Sequence, residues 1–169
     1  ESLRGPDAPT LFVFPYDWRQ DNKDHVAALH ALVNCVNRIH PGKVVNLVAH
    51  SMGGLIARRY VLEHPNRISK VITIGTPFLG VPKAINTLGT GDLLGRIQPL
   101  FVTWGKLRRL ARWFRGPQQL LPSRSYFDLG GEPFFVEPSR VALGYPAYKQ
   151  ALDEQLFLPS MPVQATETF

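Results

Sequence analysis

Val44-Val45-Asn46-Leu47-Val48-Ala49-His50-Ser51-Met52-Gly53-Gly54 decides the fold, because a β-branched apolar run ends there in a serine held between small residues. The run has the composition of a buried parallel strand, and good helix formers follow it as far as Pro65. A strand that turns into a helix at such a serine is typical of a nucleophile elbow, in which a strained turn pushes the hydroxyl out of the sheet. We therefore predict that Ser51 is a nucleophile. The alternative is an ordinary strand-to-helix turn with a capping serine.

The residues around Ser51 are small at the two positions where the motif needs them. Ala49 precedes the serine by two positions, where glycine is usual, and Gly53 follows it by two. We expect larger side chains to collide with nearby backbone at both positions. Gly54 is expected to give additional room where the helix meets the strand.

The flanking segments predict an α/β arrangement around this turn. Residues 10–14 and residues 70–75 are short apolar runs that indicate strands. Between the first run and the turn, Asp21 or Asn22 can cap a helix that ends at Pro41-Gly42. The order strand, helix, strand, helix, strand predicts a central parallel sheet with right-handed crossovers and helices on both faces.

Composition narrows the class of protein further. A chain of 169 residues with 44% apolar residues can bury one sizeable core, and it contains no apolar run of membrane-spanning length. The net charge of +6 arises in one segment, because residues 96–124 hold seven of the 19 cations and no acid. No nucleic-acid-binding motif accompanies this charge, so we expect no nucleic-acid partner. The single cysteine, Cys35, is expected to be a small core residue, and the cellular compartment stays open.

The second half of the chain is less regular. Residues 87–92 are predicted to be a loop, and residues 104–115 a basic amphipathic helix with Trp104, Trp113 and Phe114 among its apolar residues. Such a helix either lies at a membrane interface as a lid or packs on the core with a solvated basic face. From Gly116 onwards, prolines and aromatic residues indicate an irregular cap, with a short helix near residues 148–157. We place the core segment at residues 1–85 and the partial cap or lid region at residues 86–169.

A serine nucleophile needs a base and a carboxylate, which follow the serine in chains that use this elbow. The chain has five histidines, none of them after position 64: His25, His30, His40, His50 and His64. His50 points away from its neighbour on the turn, and His64 lies at the far end of the next helix. The downstream acids Asp128, Glu137 and Asp153 are interpreted as structural. No histidine spacing suits a metal, so neither a metal nor a cofactor is expected.

The length of the chain agrees with the lack of a base and a carboxylate for Ser51. A complete hydrolase sheet of about eight strands needs roughly 200 residues before any cap is added. We therefore expect the chain to be a fragment, lacking strands before residue 10 and after residue 169.

Four motifs together resemble the lecithin:cholesterol acyltransferase and phospholipid:diacylglycerol acyltransferase family of α/β-hydrolases. They are Phe14-Pro15-Tyr16-Asp17-Trp18-Arg19, the serine turn, Gly75-Thr76-Pro77-Phe78-Leu79-Gly80, and Gln119-Leu120-Leu121-Pro122 with Tyr126-Phe127. The first of these is the most specific, since many esterases share the serine turn.

The resemblance implies a partial α/β-hydrolase fold and acyl transfer from a lipid ester through an acyl-enzyme on Ser51. It implies that the backbone N–H of Met52 helps form the oxyanion hole, and that the acid and the histidine lie beyond residue 169. It places Trp104, Trp113 and Phe114 in the lid or substrate region, with a membrane or lipoprotein surface as a further contact. If the chain is instead the full product, it is a catalytically incomplete lipid- or membrane-binding module.

Overall fold

The computed structural model describes residues 8–90, 113–130, 134–136, 141–143, 146, 149 and 150. Two compact units divide the chain, Glu1–Pro77 and Phe78–Phe169. The sequence analysis places this boundary after residue 85, which falls inside the first helix of the second unit, Pro82–Thr90.

The first unit alternates helices and strands along the chain. Its elements are a 3-10 helix Asn22–His25, α1 Val26–Ile39, β1 Asn46–His50, α2 Gly53–Glu63 and β2 Lys70–Ile74. Asp21 caps the 3-10 helix, because its carboxylate accepts a hydrogen bond of 3.0 Å from the Lys23 N–H. Both helices predicted for this unit and the second and third of its predicted strands are present as α1, α2, β1 and β2, with ends shifted by a few residues.

A parallel pair of strands forms the centre of this unit. β1 and β2 run in register from Asn46 opposite Lys70 to His50 opposite Ile74. Both helices bury their apolar residues in one cluster beside the strands, formed by Val26, Leu29, Val33, Ile56 and Tyr60. The other face exposes Val48 by 67% and Ile72 by 53%, so helices on that face stay a prediction.

The predicted strand at residues 10–14 is wrong. The segment is extended and alternates in burial, with Leu11 83% and Val13 80% exposed and Phe14 packed against the helix cluster. The strands β1 and β2 pair only with each other, however, so this segment has no strand partner in the described part of the chain. A strand needs a partner for its backbone as well as an alternating pattern.

The second unit contains short elements. They are α3 Pro82–Thr90, α4 Arg115–Gln118, α5 Arg124–Asp128 and the antiparallel pair β3 Phe134–Val136 and β4 Val141–Leu143. Ala84, Ile85 and Leu88 of α3 pack on Leu121. The loop predicted at residues 87–92 is thus wrong as far as Thr90, since this burial outweighs the cost of about 1 kcal/mol for Gly89 inside a helix.

The basic helix predicted at residues 104–115 is wrong at its end. Trp113 lies in a turn and is 64% exposed, while Phe114 is extended and precedes α4. Residues 104–112 lie outside the described residues. The helix predicted near residues 148–157 is seen only as helical residues 149 and 150, and the remainder is outside the described part. Within the described residues, no helix has the length and apolar character needed to cross a membrane.

Candidate functional site

Ser51 occupies a left-handed turn between β1 and α2. Its φ of +51° is the one positive value among the described residues that are not glycine. This conformation costs a residue with a Cβ roughly 1 to 2 kcal/mol. Hydrogen bonds hold the turn on both sides, because the Ser51 N–H donates to the Ile74 carbonyl at 2.9 Å and its own carbonyl accepts from the Gly54 N–H at 3.0 Å. The pairing of β1 with β2 thus fixes the strained residue.

Two backbone donors beside this serine have no acceptor among the residues that the structure describes. The first bonds around the start of α2 are made by the N–H groups of Gly54 and Leu55, the latter to the Met52 carbonyl at 3.0 Å. The N–H groups of Met52 and Gly53 have no acceptor within the described residues. The start of a helix carries a partial positive charge, so these donors favour an anionic or polarised oxygen nearby.

Crowding at the turn is greatest at Gly54. A Cβ on Gly54 would overlap the Oγ1, Cγ2 and Cβ atoms of Thr76, which follows β2. A Cβ on Gly53 would lie 3.5 Å from the hydroxyl of Tyr16, which is ordinary contact. A methyl group alone therefore fits at Gly53, and the collision of larger side chains there stays a prediction. Gly54 carries the tight approach of helix and strand, as expected. Thr76 Oγ1 is buried there without a hydrogen-bond partner among the described residues.

The segment that follows residues 10–14 is held by an arginine fork. Arg19 donates from Nε to Oδ1 and from Nη2 to Oδ2 of Asp17, both at 2.7 Å, and its backbone N–H also reaches Oδ1. These hydrogen bonds from Arg19 lower the pKa of Asp17 to about 2. On the other side, His25 Nε2 lies 3.0 Å from the Asp17 carbonyl, and burial raises the pKa of Tyr16. Asp17 and Arg19 are thus occupied with each other, while the Tyr16 ring reaches α2.

The histidines have partners away from the serine turn or stand exposed. His40 Nε2 lies 2.8 Å from the Pro9 carbonyl, and His50 is exposed. His30 and His64 stack at 4.2 Å between ring centroids, and His30 Nδ1 lies 3.3 Å from the Tyr60 hydroxyl. In the described part of the chain, neither a histidine nor a carboxylate hydrogen-bonds to the Ser51 hydroxyl.

The remaining candidate residues are distributed over the second unit. Asp128 pairs with Arg124 at 3.4 Å within α5, whereas Glu137 and Asp153 lie outside the described residues. Trp113 and Phe114 lie just before α4, and Trp104 is outside the described part. Among the residues that the structure describes, no three His, Cys, Asp or Glu side chains come together as metal ligands.

Sequence reasoning missed the two contacts that shape the turn. Tyr16 and Thr76 belong to two of the four motifs that carry the family resemblance, but nothing in the composition of those motifs indicates that they lie against Gly53 and Gly54. The sequence signal for the close approach was the pair Gly53-Gly54. A small-x-Ser-x-small pattern requires only the first of these glycines, so the second indicates a further crowded position.

Comparison with known proteins agrees with the motifs. The family model for lecithin:cholesterol acyltransferase matches residues 6–149. The Arabidopsis thaliana phospholipase A(1) LCAT3 is 37% identical over 46% of this chain and 19% of its own length. The lysosomal phospholipase A and acyltransferase of Bos taurus is 34% identical over 46% of this chain and 21% of its own. The matched regions thus span about a fifth of these relatives.

A solved structure shares the fold. A chain in the crystal structure of a Tle4-Tli4 complex superposes with a TM-score of 0.59 over 81% of this chain and 31% of its own, at 22% sequence identity. The family model covers most of the sequence and includes the serine turn, both parallel strands and the Tyr16 segment. The chain therefore belongs to the lecithin:cholesterol acyltransferase family.

Proposed function

We propose that this chain is the central part of a lipid-acting serine acyltransferase or lipase that forms an acyl-enzyme on Ser51. The observation that carries the proposal is the left-handed Ser51 between β1 and α2. Beside it lies the Met52 N–H, which has no acceptor within the described residues. Such a turn is the requirement of a nucleophile elbow. The family and the names of its phospholipase and acyltransferase members support a lipid ester as substrate.

In the proposed reaction, the Ser51 hydroxyl attacks the carbonyl carbon of a lipid ester. A base takes the hydroxyl proton as the new bond forms and returns it to the leaving alcohol as the ester bond breaks. The carbonyl oxygen becomes an oxyanion, for which the Met52 N–H is the donor on this chain. Water or an acceptor alcohol then attacks the acyl-enzyme, which releases a fatty acid or a new ester and restores the serine.

The base and its carboxylate are proposed to lie in polypeptide outside these 169 residues. No described histidine is hydrogen-bonded to Ser51, and the relatives are about five times longer than their matched regions. By the same reasoning, the 169 residues alone should show little or no turnover. A partial α/β-hydrolase core followed by a cap is the fold that we propose for this piece.

The lipid is proposed to reach the site from a membrane or lipoprotein surface. Trp113 supports this contact, because an indole with 64% of its surface exposed suits a water–lipid boundary better than bulk water. Trp104 and Phe114 are its proposed companions in the lid or substrate region.

The decisive test uses the complete gene product that contains this chain. It is incubated with phosphatidylcholine vesicles, with and without a long-chain alcohol, and the released fatty acid and new ester are both measured. Ser51→Ala should lower both by at least about 10³-fold. Ser69→Ala is the matched control, because Ser69 is exposed and lies immediately before β2. Activity that survives in Ser51→Ala would refute the proposal.

The same vesicles distinguish the second candidate, a lipid- or membrane-binding module without catalysis. The observation that favours it is the lack of a base beside Ser51 among the described residues. Binding without turnover by the complete product, unaffected by Ser51→Ala, would establish the module and exclude the enzyme.

A further inference from the structure

Two histidines and an arginine come together where α2 ends beside α1. The ring of His30 on α1 stacks on the ring of His64 with 4.2 Å between the centroids. His64 directly follows α2, and its carbonyl accepts a hydrogen bond of 3.1 Å from the Arg67 N–H. This turn keeps Arg67 near both rings. We call His30, His64 and Arg67 the cationic cluster.

Hydrogen bonds from two helices hold the cationic cluster in position. The Arg67 guanidinium donates to Oδ1 of Asn34 on α1 and to the buried hydroxyl of Tyr60 on α2. The same hydroxyl lies 3.3 Å from His30 Nδ1. Since the hydroxyl accepts from Arg67, it donates its proton to Nδ1, and neutral His30 then carries its own proton on Nε2. The side chains are therefore positioned before any ligand arrives.

Several donors of the cationic cluster are unused among the residues that the structure describes. His30 Nε2 and the ring nitrogens of His64 make no hydrogen bond there. A guanidinium has five N–H groups, and Arg67 makes only the two side-chain bonds named above and no ion pair in this part of the chain. The acid next to His64 in the sequence, Glu63, is paired with Arg59 at 2.5 Å.

The charge of the cationic cluster is not balanced within the described residues. Arg67 is positive at every relevant pH, and each imidazole adds a positive charge when it is protonated. The C-terminus of α2 supplies only about half a negative charge. Burial and then the charges of His64 and Arg67 lower the pKa of His30, and no described carboxylate opposes them. The cluster is therefore positive at neutral pH and becomes more positive in acid.

This arrangement suits an anion better than a metal ion. Two imidazoles can bind a transition metal, but the charge of Arg67 repels a cation beside them. The described residues also offer no group of three metal ligands. A phosphate group, in contrast, has several acceptor oxygens for converging N–H donors, and a guanidinium matches its geometry with two parallel hydrogen bonds.

We propose that the cationic cluster binds a phosphate group, which belongs either to a soluble phosphate compound or to a lipid headgroup. The Arg67 guanidinium and the His30 Nε2–H donate to its oxygens, and His64 adds a ring N–H. The cluster and Ser51 lie at opposite ends of α2, about 20 Å apart at about 1.5 Å per residue. The bound phosphate is thus remote from the serine, and the inference does not depend on the chemistry of Ser51.

NMR of the histidine rings tests the proposal on the complete gene product, titrated with sodium phosphate at pH 7. The ring signals of His30 and His64 should shift and reach half-saturation below about 5 mM, whereas sodium chloride at equal ionic strength should not reproduce the shift. Arg67→Gln should weaken binding at least about tenfold. The matched control is Arg58→Gln, because Arg58 lies two residues before Tyr60 and hence on the opposite side of α2. No saturation by about 50 mM, or equal affinities of the two variants, would overturn the proposal.

Vesicle binding distinguishes the two sources of the phosphate group. Phosphatidylcholine vesicles are compared with and without phosphatidic acid, whose headgroup is a phosphomonoester. A gain in binding with phosphatidic acid that Arg67→Gln removes would identify a lipid headgroup. A gain that Arg67→Gln leaves unchanged, or no gain, would identify a soluble phosphate compound.

The pH dependence tests the two histidines separately from the arginine. Sulfate is the probe, because it remains a dianion over the whole range. Its half-saturating concentration should fall at least about threefold from pH 7.5 to pH 5.5, as the imidazoles gain charge. This dependence should vanish when His30→Gln and His64→Gln are combined. Affinity that is independent of pH in the parent, or a dependence that persists in the double variant, would overturn the proposal.

Discussion

Gly54→Ala is the substitution that best tests how α2 approaches β2. A methyl group on Gly54 meets three atoms of Thr76, and one of them, Cβ, is next to the backbone and cannot rotate away. Overpacking of this kind costs about 1 to 3 kcal/mol. Alanine regains up to about 1 kcal/mol of helix propensity. The two contributions give an expected net loss centred on about 1.5 kcal/mol, or roughly 3 to 6 °C in melting temperature for a chain of this size.

Thermal and urea unfolding of three variants measures this loss. Gly53→Ala is the matched control, because its new methyl meets Tyr16 only in ordinary contact at 3.5 Å, and its stability should stay within about 0.5 kcal/mol of the parent. In a Thr76→Gly background, Gly54→Ala should no longer be destabilising, since the overlapping atoms are gone. Equal stabilities of Gly53→Ala and Gly54→Ala in the parent would refute the reasoning.

Three further predictions concern single residues. Burial and the charges of His64 and Arg67 lower the pKa of His30, so the folded state prefers its neutral form. The stability contributed by this lowered pKa should be fully present above the usual pKa of 6.5 and should be lost as the pH falls below it. His30→Gln should therefore reduce the difference between the free energies of unfolding measured with urea at pH 7 and at pH 5. Ser51→Gly should be more stable than Ser51→Ala by roughly 1 kcal/mol in the same assay, because glycine adopts the positive φ without strain; equal values would contradict the turn geometry. The pKa of Asp17, measured by carboxyl NMR, should be about 2 and return towards 3.8 in Arg19→Met.

The serine turn and its two flanking elements were predictable because their signals are local. The β-branched run, the small residues around Ser51 and the helix formers after it all favour the same conformation, and β1, Ser51 and α2 follow that order. A cap at Asp21 or Asn22 was likewise predicted from a short-range hydrogen bond, and Asp21 provides it. Local preference and the final structure agree at these positions.

The errors occur where the outcome depends on distant residues. Residues 10–14 have the pattern of a strand, but a strand forms only with a partner, which the pattern does not contain. Residues 87–92 have the composition of a loop, but burial of Leu88 beside Leu121 makes the segment helical as far as Thr90. The contact between Gly54 and Thr76 joins residues 22 positions apart in the numbering. The adjacent glycines predict a close approach at Gly54, but no local pattern identifies Thr76 as the neighbour.

The positive φ of Ser51 also limits which amino acids evolution or design could place at this position. A second branch at Cβ crowds the backbone in the left-handed region, which makes threonine a poor replacement although it keeps the hydroxyl. Cysteine has an unbranched Cβ and a nucleophilic atom at the same place, so it fits the turn better. The backbone at this turn therefore selects between nucleophiles by the shape of the side chain before their reactivity matters.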